Sequence, residues 1–580
     1  MISSPVCYRF RGFELHIADR RLLANGVEVP IGARAFDLLA ALVGREGRLA
    51  TKNELLSEVW QGLVVEENNL QVQISALRKL FGSDVIQTAA RHGYRFALPL
   101  TASDSAADVG GARGESPAPP QSIAVLPFAI LGDDPAAEYF ADGLADGLLT
   151  LLSHVPGLRV TSRTSSFQFR GARVDVPAIA RKLNVRTVLE GSIQKSGRRM
   201  KIAVQLIDAA TDTHLWACNF DRNLDDAFAV QDEIAASVAD ELRHRLLGEG
   251  APGDEARYQS AGHSKGRTTS LVALDLFLRG RQLCESNQDA DTEEGIRCLR
   301  EAVAVDPYFA LAWVQLALVE CALAGYGLTP NTFEGFTKAR IAASRAIDID
   351  PNLGSAHAIL AWIRLYGDWD RKGAEASARR ALQLFPNDRL VLVHAQLVLG
   401  HVGCREEARR LAQRLVQVDP LAGSAHRQLA LVQLDDGDVA AAEASFARAL
   451  ALWPRLGLTH FRFGELRLAQ NRIEEAIAAF EDEWMPDYRW LGLVHAHHVN
   501  GARQASDDAL QAMMAACATT SPTQIAAAHA VRGEPDAAFD WLERALQHHD
   551  PRMVEIGVEP MLRPLHGDPR WKGLLERMGM

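Results

Sequence analysis

A chain of 580 residues has room for roughly three to five domains. Its 48% hydrophobic and 23% charged content is that of an ordinary globular protein and excludes wholesale disorder. The formal charge of -11 argues against indiscriminate coating of nucleic acid, but it is unevenly placed: residues 1–100 carry 12 Lys and Arg against 10 Asp and Glu.

No run approaches the ~18–20 apolar residues of a membrane span; the best candidate, Leu144–Val155, is interrupted by Asp146 and His154. The first thirty residues alternate charge and apolarity, without a signal-peptide core. The seven cysteines are scattered and never form Cys-x-x-Cys, which argues against a zinc site or a disulfide framework. The expectation is a cytoplasmic chain that makes no membrane contact.

The clearest break is residues 101–120, TASDSAADVGGARGESPAPP, whose only large aliphatic residue is Val109. It reads as a flexible linker after an amino-terminal domain of residues 1–100. A weaker break at Gly248–Thr269 separates a second domain, 121–250, from a third, 270–580.

The first segment opens with strand-like runs, Tyr8–Ile17 and Arg21–Leu23. The turn-forming Asn25-Gly26 and a returning run, Val27–Ile31, follow. Phe36, Leu38, Leu39, Leu42 and Val43 then form a helical stripe. Thr51 and Glu54 make a capping box for a helix over about Lys52–Trp60. A third helix, about Glu67–Phe81, puts Leu70, Ile74, Leu77 and Phe81 on one face. Short strands at Val85–Thr88 and Tyr94–Leu98 flank Ala89–Gly93.

The order of these elements, with NGVEVP, ARAFDLLAALV, KNELLSEVW, NNLQVQISALRKLF and HGYRF, resembles the winged helix-turn-helix domain of the OmpR/PhoB type over about Tyr8–Leu98. The resemblance implies that the third helix enters the major groove of double-stranded DNA while the wing touches its backbone. Asn69, Gln73, Ser75 and Arg78 would then reach phosphates or groove edges, and Gln71, Val72 and Ala76 would face bases. Thr88 and Tyr94 would touch backbone, with Arg91 at the wing tip. Two departures stand out. Ala76 replaces a frequent base-reading arginine, and the wing arginine comes one residue late in AARHG. Trp60 is expected in the core first.

The second segment begins with an apolar strand, Ser122–Phe128. A helix over about Tyr139–Ser153, a strand Leu158–Ser162 and a helix over about Val176–Leu183 follow. Strands near Thr187–Lys195, Met200–Asp208 and His214–Phe220 precede a helix at Leu224–Leu246, which predicts an α/β domain with a mixed sheet. IAVLPF, VLEGSIQKSGRRMKIAVQLIDAATDTHLWACNFDR and FAVQDEIAASVADEL resemble the TolB-like domain of bacterial regulators. Asp142 and Asp146 share a helical face and read as helix-start carboxylates offsetting the dipole. The Arg163–Arg173 stretch, with Ser165 and Ser166, reads as a solvated loop.

In the third segment prolines at 307, 351, 386, 420, 454 and 486 are spaced by 44, 35, 34, 34 and 32 residues. This period resembles the tetratricopeptide repeat, with Leu429-Ala430 on a first helix and Ala442, Phe446 and Ala449 on a second. The expectation is an all-α solenoid of seven or eight units, with an insertion around Gly325–Thr337 and poor patterning at 490–520. Its concave face would take a protein or peptide partner, and Trp313, Trp362 and Trp369 are candidate lining residues. His495, His497 and His498 fit no usual metal spacing.

GxxxxGK[ST], GxSxG, HExxH and strand-bound GxGxxG motifs are all absent. No catalytic residue, metal or cofactor is expected. The arrangement resembles ToxR/CadC-like one-component transcriptional regulators, with a winged helix (α+β), an α/β domain and a repeat array that senses a soluble signal or binds protein partners. Weak discrimination by one winged helix points to a homo-oligomer. The competing reading is a repeat scaffold without specific DNA reading.

Overall fold

The computed structural model describes residues 7–103 and 121–579, apart from 12, 17–20, 25–26, 30–32, 46–47, 60–66, 83–84, 90–92, 99–100, 132–134, 154, 156, 172–175, 197–198, 224–232, 235, 239, 242–265, 286–288, 327 and 330. Trp60, Arg91, the Asn25-Gly26 turn and most of the two expected breaks lie outside the described residues. The chain divides into two compact units, Met1–Glu115 and Ser116–Met580.

In the first unit β1 (Cys7–Phe10) and β2 (Phe13–His16) form an antiparallel hairpin, followed by β3 (Arg21–Ala24) and β4 (Val27–Glu28). The run expected to be continuous at Tyr8–Ile17 breaks because Arg11 takes a positive φ of 45°. That reversal stacks Phe10 on Phe13 at 5.8 Å and sets both edge-on to Phe81. Helices α1 (Ala33–Val43), α2 (Lys52–Val59) and α3 (Glu67–Phe81) carry the core residues Leu38, Leu39, Leu42, Leu55, Leu70, Ile74 and Leu77. The capping box is present: Thr51 N donates to Glu54 Oε2 at 2.8 Å, and Glu54 N donates to Thr51 Oγ1 at 3.3 Å. The bond from the Thr51 backbone holds the Glu54 carboxyl below its ordinary range.

Three short strands, β5 (Ala50–Thr51), β6 (Ile86–Ala89) and β7 (Gly93–Phe96), form a second sheet in the order β5-β7-β6. A Cβ at Gly93 would fall 1.9 Å from the Ala50 carbonyl oxygen, so glycine is what lets β7 lie against β5. Thr101–Ser103, the start of the expected linker, instead forms β8 and pairs with β1.

The second unit starts with β9 (Ser122–Val125), β10 (Ala129–Ile130), α4 (Pro135–Ser153), β11 (Arg159–Val160), α5 (Arg163–Ser166) and α6 (Val176–Leu183). It continues with β12 (Thr187–Ser196), β13 (Arg199–Asp208) and β14 (Thr213–Asn223). The sheet is mixed, as expected, in the order β11-β9-β12-β13-β14, with β9 parallel to both neighbours and β12 to β14 antiparallel. Leu144, Leu148 and Leu152 of α4 cover one face. Ile179, Ala180 and Leu183 of α6 cover part of the other.

Eight antiparallel helix pairs follow among the described residues, beginning with Leu271–Glu285 and Asp289–Val305 and ending with Pro522–Val531 and Pro535–Gln547. The expected insertion is the connection and longer helix after Gly325, with Thr332–Ile349 capped by Asn331. The poorly patterned stretch forms a regular pair, Pro486–Val499 and Arg503–Cys517. Polar His, Arg, Gln and Asp residues are interspersed among its apolar ones, which hides the period. No helix among the described residues is long and apolar enough to cross a membrane.

The α/β layer docks on this array, and two sequence expectations are corrected there. Asp142 and Asp146 lie well inside α4 and not at its start. Arg170 and Arg163 pair with Asp142, and Arg281 of the first repeat helix pairs with Asp146 at 2.6 Å. The Arg163–Arg173 stretch is no solvated loop at its beginning. Ser165 and Ser166 are fully buried, and Ser165 Oγ donates to Asp419 Oδ1 at 2.6 Å. Ser162 N donates to the Val418 carbonyl at 2.9 Å, Gln168 Nε2 to that of Leu421 at 2.9 Å, and Arg159 to that of Gln417. Leu421 itself plugs into the α6 side of the sheet beside Leu126, Leu183 and Val188. Polar residues that look solvated in the sequence are therefore the polar half of a buried seam.

Candidate nucleic-acid interface and the inner cavity

Helix α3 is sorted by period: Leu70, Ile74, Leu77 and Phe81 are buried, while Gln71, Ser75 and Lys79, four residues apart, form an exposed stripe. Ser75 Oγ donates to the Gln71 carbonyl at 2.9 Å, so its hydroxyl proton is engaged within the helix. Gln73 is half-buried. Asn69, Val72 and Ala76 lie on α3, but their side chains are outside what is described.

Arg78 points toward the wing. Its Nε and Nη2 donate to the Ile86 carbonyl at 3.1 and 2.7 Å, and Nη2 also reaches Thr88 Oγ1 at 2.7 Å. Arg78 thus ties the end of α3 to the first wing strand. Thr88 is exposed and pairs in register with Tyr94, which is only 5% exposed and belongs to the core. Lys79, which with Arg78 reads in the sequence as a solvated helix face, extends the Gln71–Ser75 stripe by one more helical step. Arg95, on the outward side of GYRF, donates through Nε to Gln87 Oε1 at 2.9 Å on the opposite wing strand. Helical and strand alternation are the signals that expose them.

Residues 26–96 match the family described as "Transcriptional regulatory protein, C terminal". This segment is a DNA-binding domain of the OmpR/PhoB type. Residues 120–237 match the "HilA/YgeH-like transcriptional regulator, second domain". Among relatives, "Putative adenylate cyclase 3" of Rhizobium meliloti is 38% identical over 257 residues, 43% of this chain and 41% of that protein. Transcriptional regulator HilA of Salmonella typhi is 23% identical over 354 residues, 60% of this chain and 59% of the relative. Phosphate regulon transcriptional regulatory protein PhoB of Pseudomonas aeruginosa is 34% identical over 89 residues, 15% of this chain and 39% of the relative. The chain spans less than two thirds of each.

In this OmpR/PhoB-type domain Arg78→Ala is expected to weaken DNA binding by loosening the wing while leaving its salt dependence nearly unchanged. Lys79→Ala should instead flatten the slope of log K against log salt by about one unit. Binding isotherms over a salt series separate the two.

The second unit holds a hollow of about 2810 Å³ that is open to solvent. Tyr326, Trp362, Tyr366, His394 and His401 line it from the repeats, and Glu555 and Glu559 from the carboxy-terminal segment. Trp369 does not face a free groove: its ring stacks on His549 at 3.8 Å. Trp313 donates to the Pro307 carbonyl at 3.0 Å. The carboxy-terminal segment is pinned to earlier repeats by polar contacts. Tyr366 Oη donates to Glu555 Oε1 at 2.6 Å, and His401 Nε2 lies 3.4 Å from the same oxygen. Arg462 reaches Glu465 at 2.7 Å and Glu559 at 3.3 Å. Burial raises the Glu555 carboxyl, but the His401 and Tyr366 bonds and the nearby cations outweigh it and bring it to about 2. Glu465 goes the other way: burial, opposed by Arg462, pushes it up to about 7.

A carboxyl raised by folding binds more protons in the native state, so its contribution to stability falls as pH rises from about 4.5 to about 7. Glu465→Gln is therefore expected to lose less thermal stability than wild type between pH 5 and pH 7.5. Parallel melting curves at the two pH values check this.

Proposed function

We propose that the chain is a one-component, DNA-binding transcriptional regulator that works in the cytoplasm. The observation that carries this is the exposed Gln71–Ser75–Lys79 stripe on a helix whose other face is core, within the OmpR/PhoB-type domain. Its partner is double-stranded DNA, with Asn69, Gln71, Val72, Gln73, Ser75 and Ala76 addressing the groove and Thr88, Arg91 and Tyr94 the backbone. The inner face of the array takes a protein or peptide partner or a soluble signal, and two or more copies act together. The TolB-like resemblance of the α/β layer supports assembly more than chemistry. One relative carries the name of a cyclase, yet we propose no catalysis for this chain; the engagement of Asp142 and Asp146 by arginines supports that reading. Sequencing of genomic DNA recovered with the intact protein tests the proposal. A shared motif in promoter regions is expected, and recovery of no enriched sequence favours the scaffold reading.

A further inference from the structure

In a repeat array each unit touches only its neighbours, so a contact between units far apart in sequence needs a separate cause. Here Tyr366 meets Glu555 across 189 residues, and His549 Nε2 donates to the Gly367 carbonyl at 3.0 Å across 182. The stack of Trp369 on His549 and the approach of His401 to Glu555 complete the closure. The apolar core behind it is divided. One cluster runs from Ala273 to Ala425, with Val554 added from the carboxy-terminal segment, and a second runs from Phe461 to Met578. Between them lies a small core of Ala430, Phe446 and Leu466. The chain passes from the first block to the second at Trp453–Leu458, where Leu458 takes a φ of 65°. The carboxy-terminal segment is anchored in the second block. Asp550 Oδ2 accepts from Thr523 Oγ1 at 2.6 Å, Glu559 pairs with Arg462, and Met561, Leu562 and Leu565 lie in that core.

The closing contact is strained on both sides. Trp369 and His549, the stacked pair, hold positive φ angles of 56° and 53°. The helix Gly354–Trp362 runs into a π-turn at Ile363–Gly367, which carries both Tyr366 and the Gly367 carbonyl to the contact. Trp369 Nε1 is buried there without a hydrogen-bond partner, a donor that water would satisfy if the two sides parted. We propose that this contact is a latch: the two blocks swing apart about the Trp453–Leu458 joint and close again on Tyr366, Trp369, His549 and Glu555. The hollow is lined from both blocks, by Trp362 and His394 of the first and Tyr488 and Val558 of the second, so opening the latch widens it. Such a motion is a hinge between two packed bodies that keep their own cores. The latch is a property of the array and needs no ligand; that its opening admits a partner rests on the reading that the inner face binds one.

Amide hydrogen exchange of the full chain, without ligand, tests the latch. Tyr366→Phe removes the donor on the first block, and Glu555→Ala removes the acceptor on the second. Each variant should speed exchange on both sides of the contact, over residues 363–370 and 549–556, by about tenfold, the effect of losing one hydrogen bond to a charged group. The helices Thr332–Ile349 and Arg503–Cys517, inside the two blocks, should keep their wild-type rates, which also reports that the variants are folded. The double variant should exceed the faster single one by little, because both changes remove the same contact. Small-angle scattering should give it a larger radius of gyration than wild type. Faster exchange confined to the altered side, or spreading through the helix Pro569–Arg577, overturns the latch, as does an unchanged radius. Each of these results leaves the inner face as a binding surface in place, since no partner enters the experiment.

Discussion

Asp419→Ala is expected to undock the α/β layer from the repeat array and to cost about 2–4 kcal/mol of stability in the second unit. Asp419 is fully buried and serves three groups at once. Its Oδ1 accepts from the hydroxyls of Ser162 and Ser165, and its Oδ2 meets Arg389 Nε at 2.5 Å. Ser165 in turn accepts from Leu421 N at 2.9 Å, which fixes the turn that carries Leu421 into the sheet. Removing the carboxylate leaves two buried hydroxyl donors without an acceptor and an arginine without its counter-ion. Arg389 is about one-third exposed, so water recovers part of that loss. Asp419→Asn keeps an acceptor oxygen and should cost less. Denaturant unfolding followed by tryptophan fluorescence compares the three proteins; a wild-type midpoint for Asp419→Ala would mean that the seam is not a stabilising contact.

Phe446→Ala is expected to destabilise the array by about 3–5 kcal/mol. Phe446 has no exposed surface and packs with Ala430, Leu466 and the ring of Phe463, at 6.0 Å between centroids. Alanines at 430, 442 and 449, all buried, bring the helices close, so the space left by the ring is walled by backbone that relaxes little. Calorimetry of the full chain gives the loss. DNA binding is expected to survive, because residues 1–115 form a compact unit with a core of their own.

Both positions show what the sequence makes legible. Phe446 was readable because a 34-residue proline period and the Ala442–Phe446–Ala449 spacing repeat often enough to mark a packing site. The helices and wing of the first unit were readable for a similar reason: burial of Leu70, Ile74, Leu77 and Phe81 follows the 3.6-residue period. Asp419, Ser162 and Ser165 were not. Short polar residues there carry no periodicity of their own, and their burial depends on a partner more than 250 residues away. The partnering of Arg78 was hidden likewise, since the sequence shows a basic helix end but not the Ile86 carbonyl that claims it. The closure of the array by Glu555 on Tyr366 spans 189 residues and leaves no local trace.

Duplex binding by the amino-terminal domain decides whether the chain is a DNA-reading regulator. The direct measurement is the affinity of the full chain for its recovered genomic fragments across a salt series, beside a chain beginning at residue 116. The full chain should bind, with log K falling linearly against log salt and, for about six to ten phosphate contacts, a loss of roughly 10³–10⁵ between about 50 and 200 mM. The shortened chain should not bind. No duplex binding by the full chain at low salt, or equal binding by the chain lacking residues 1–115, would contradict the account.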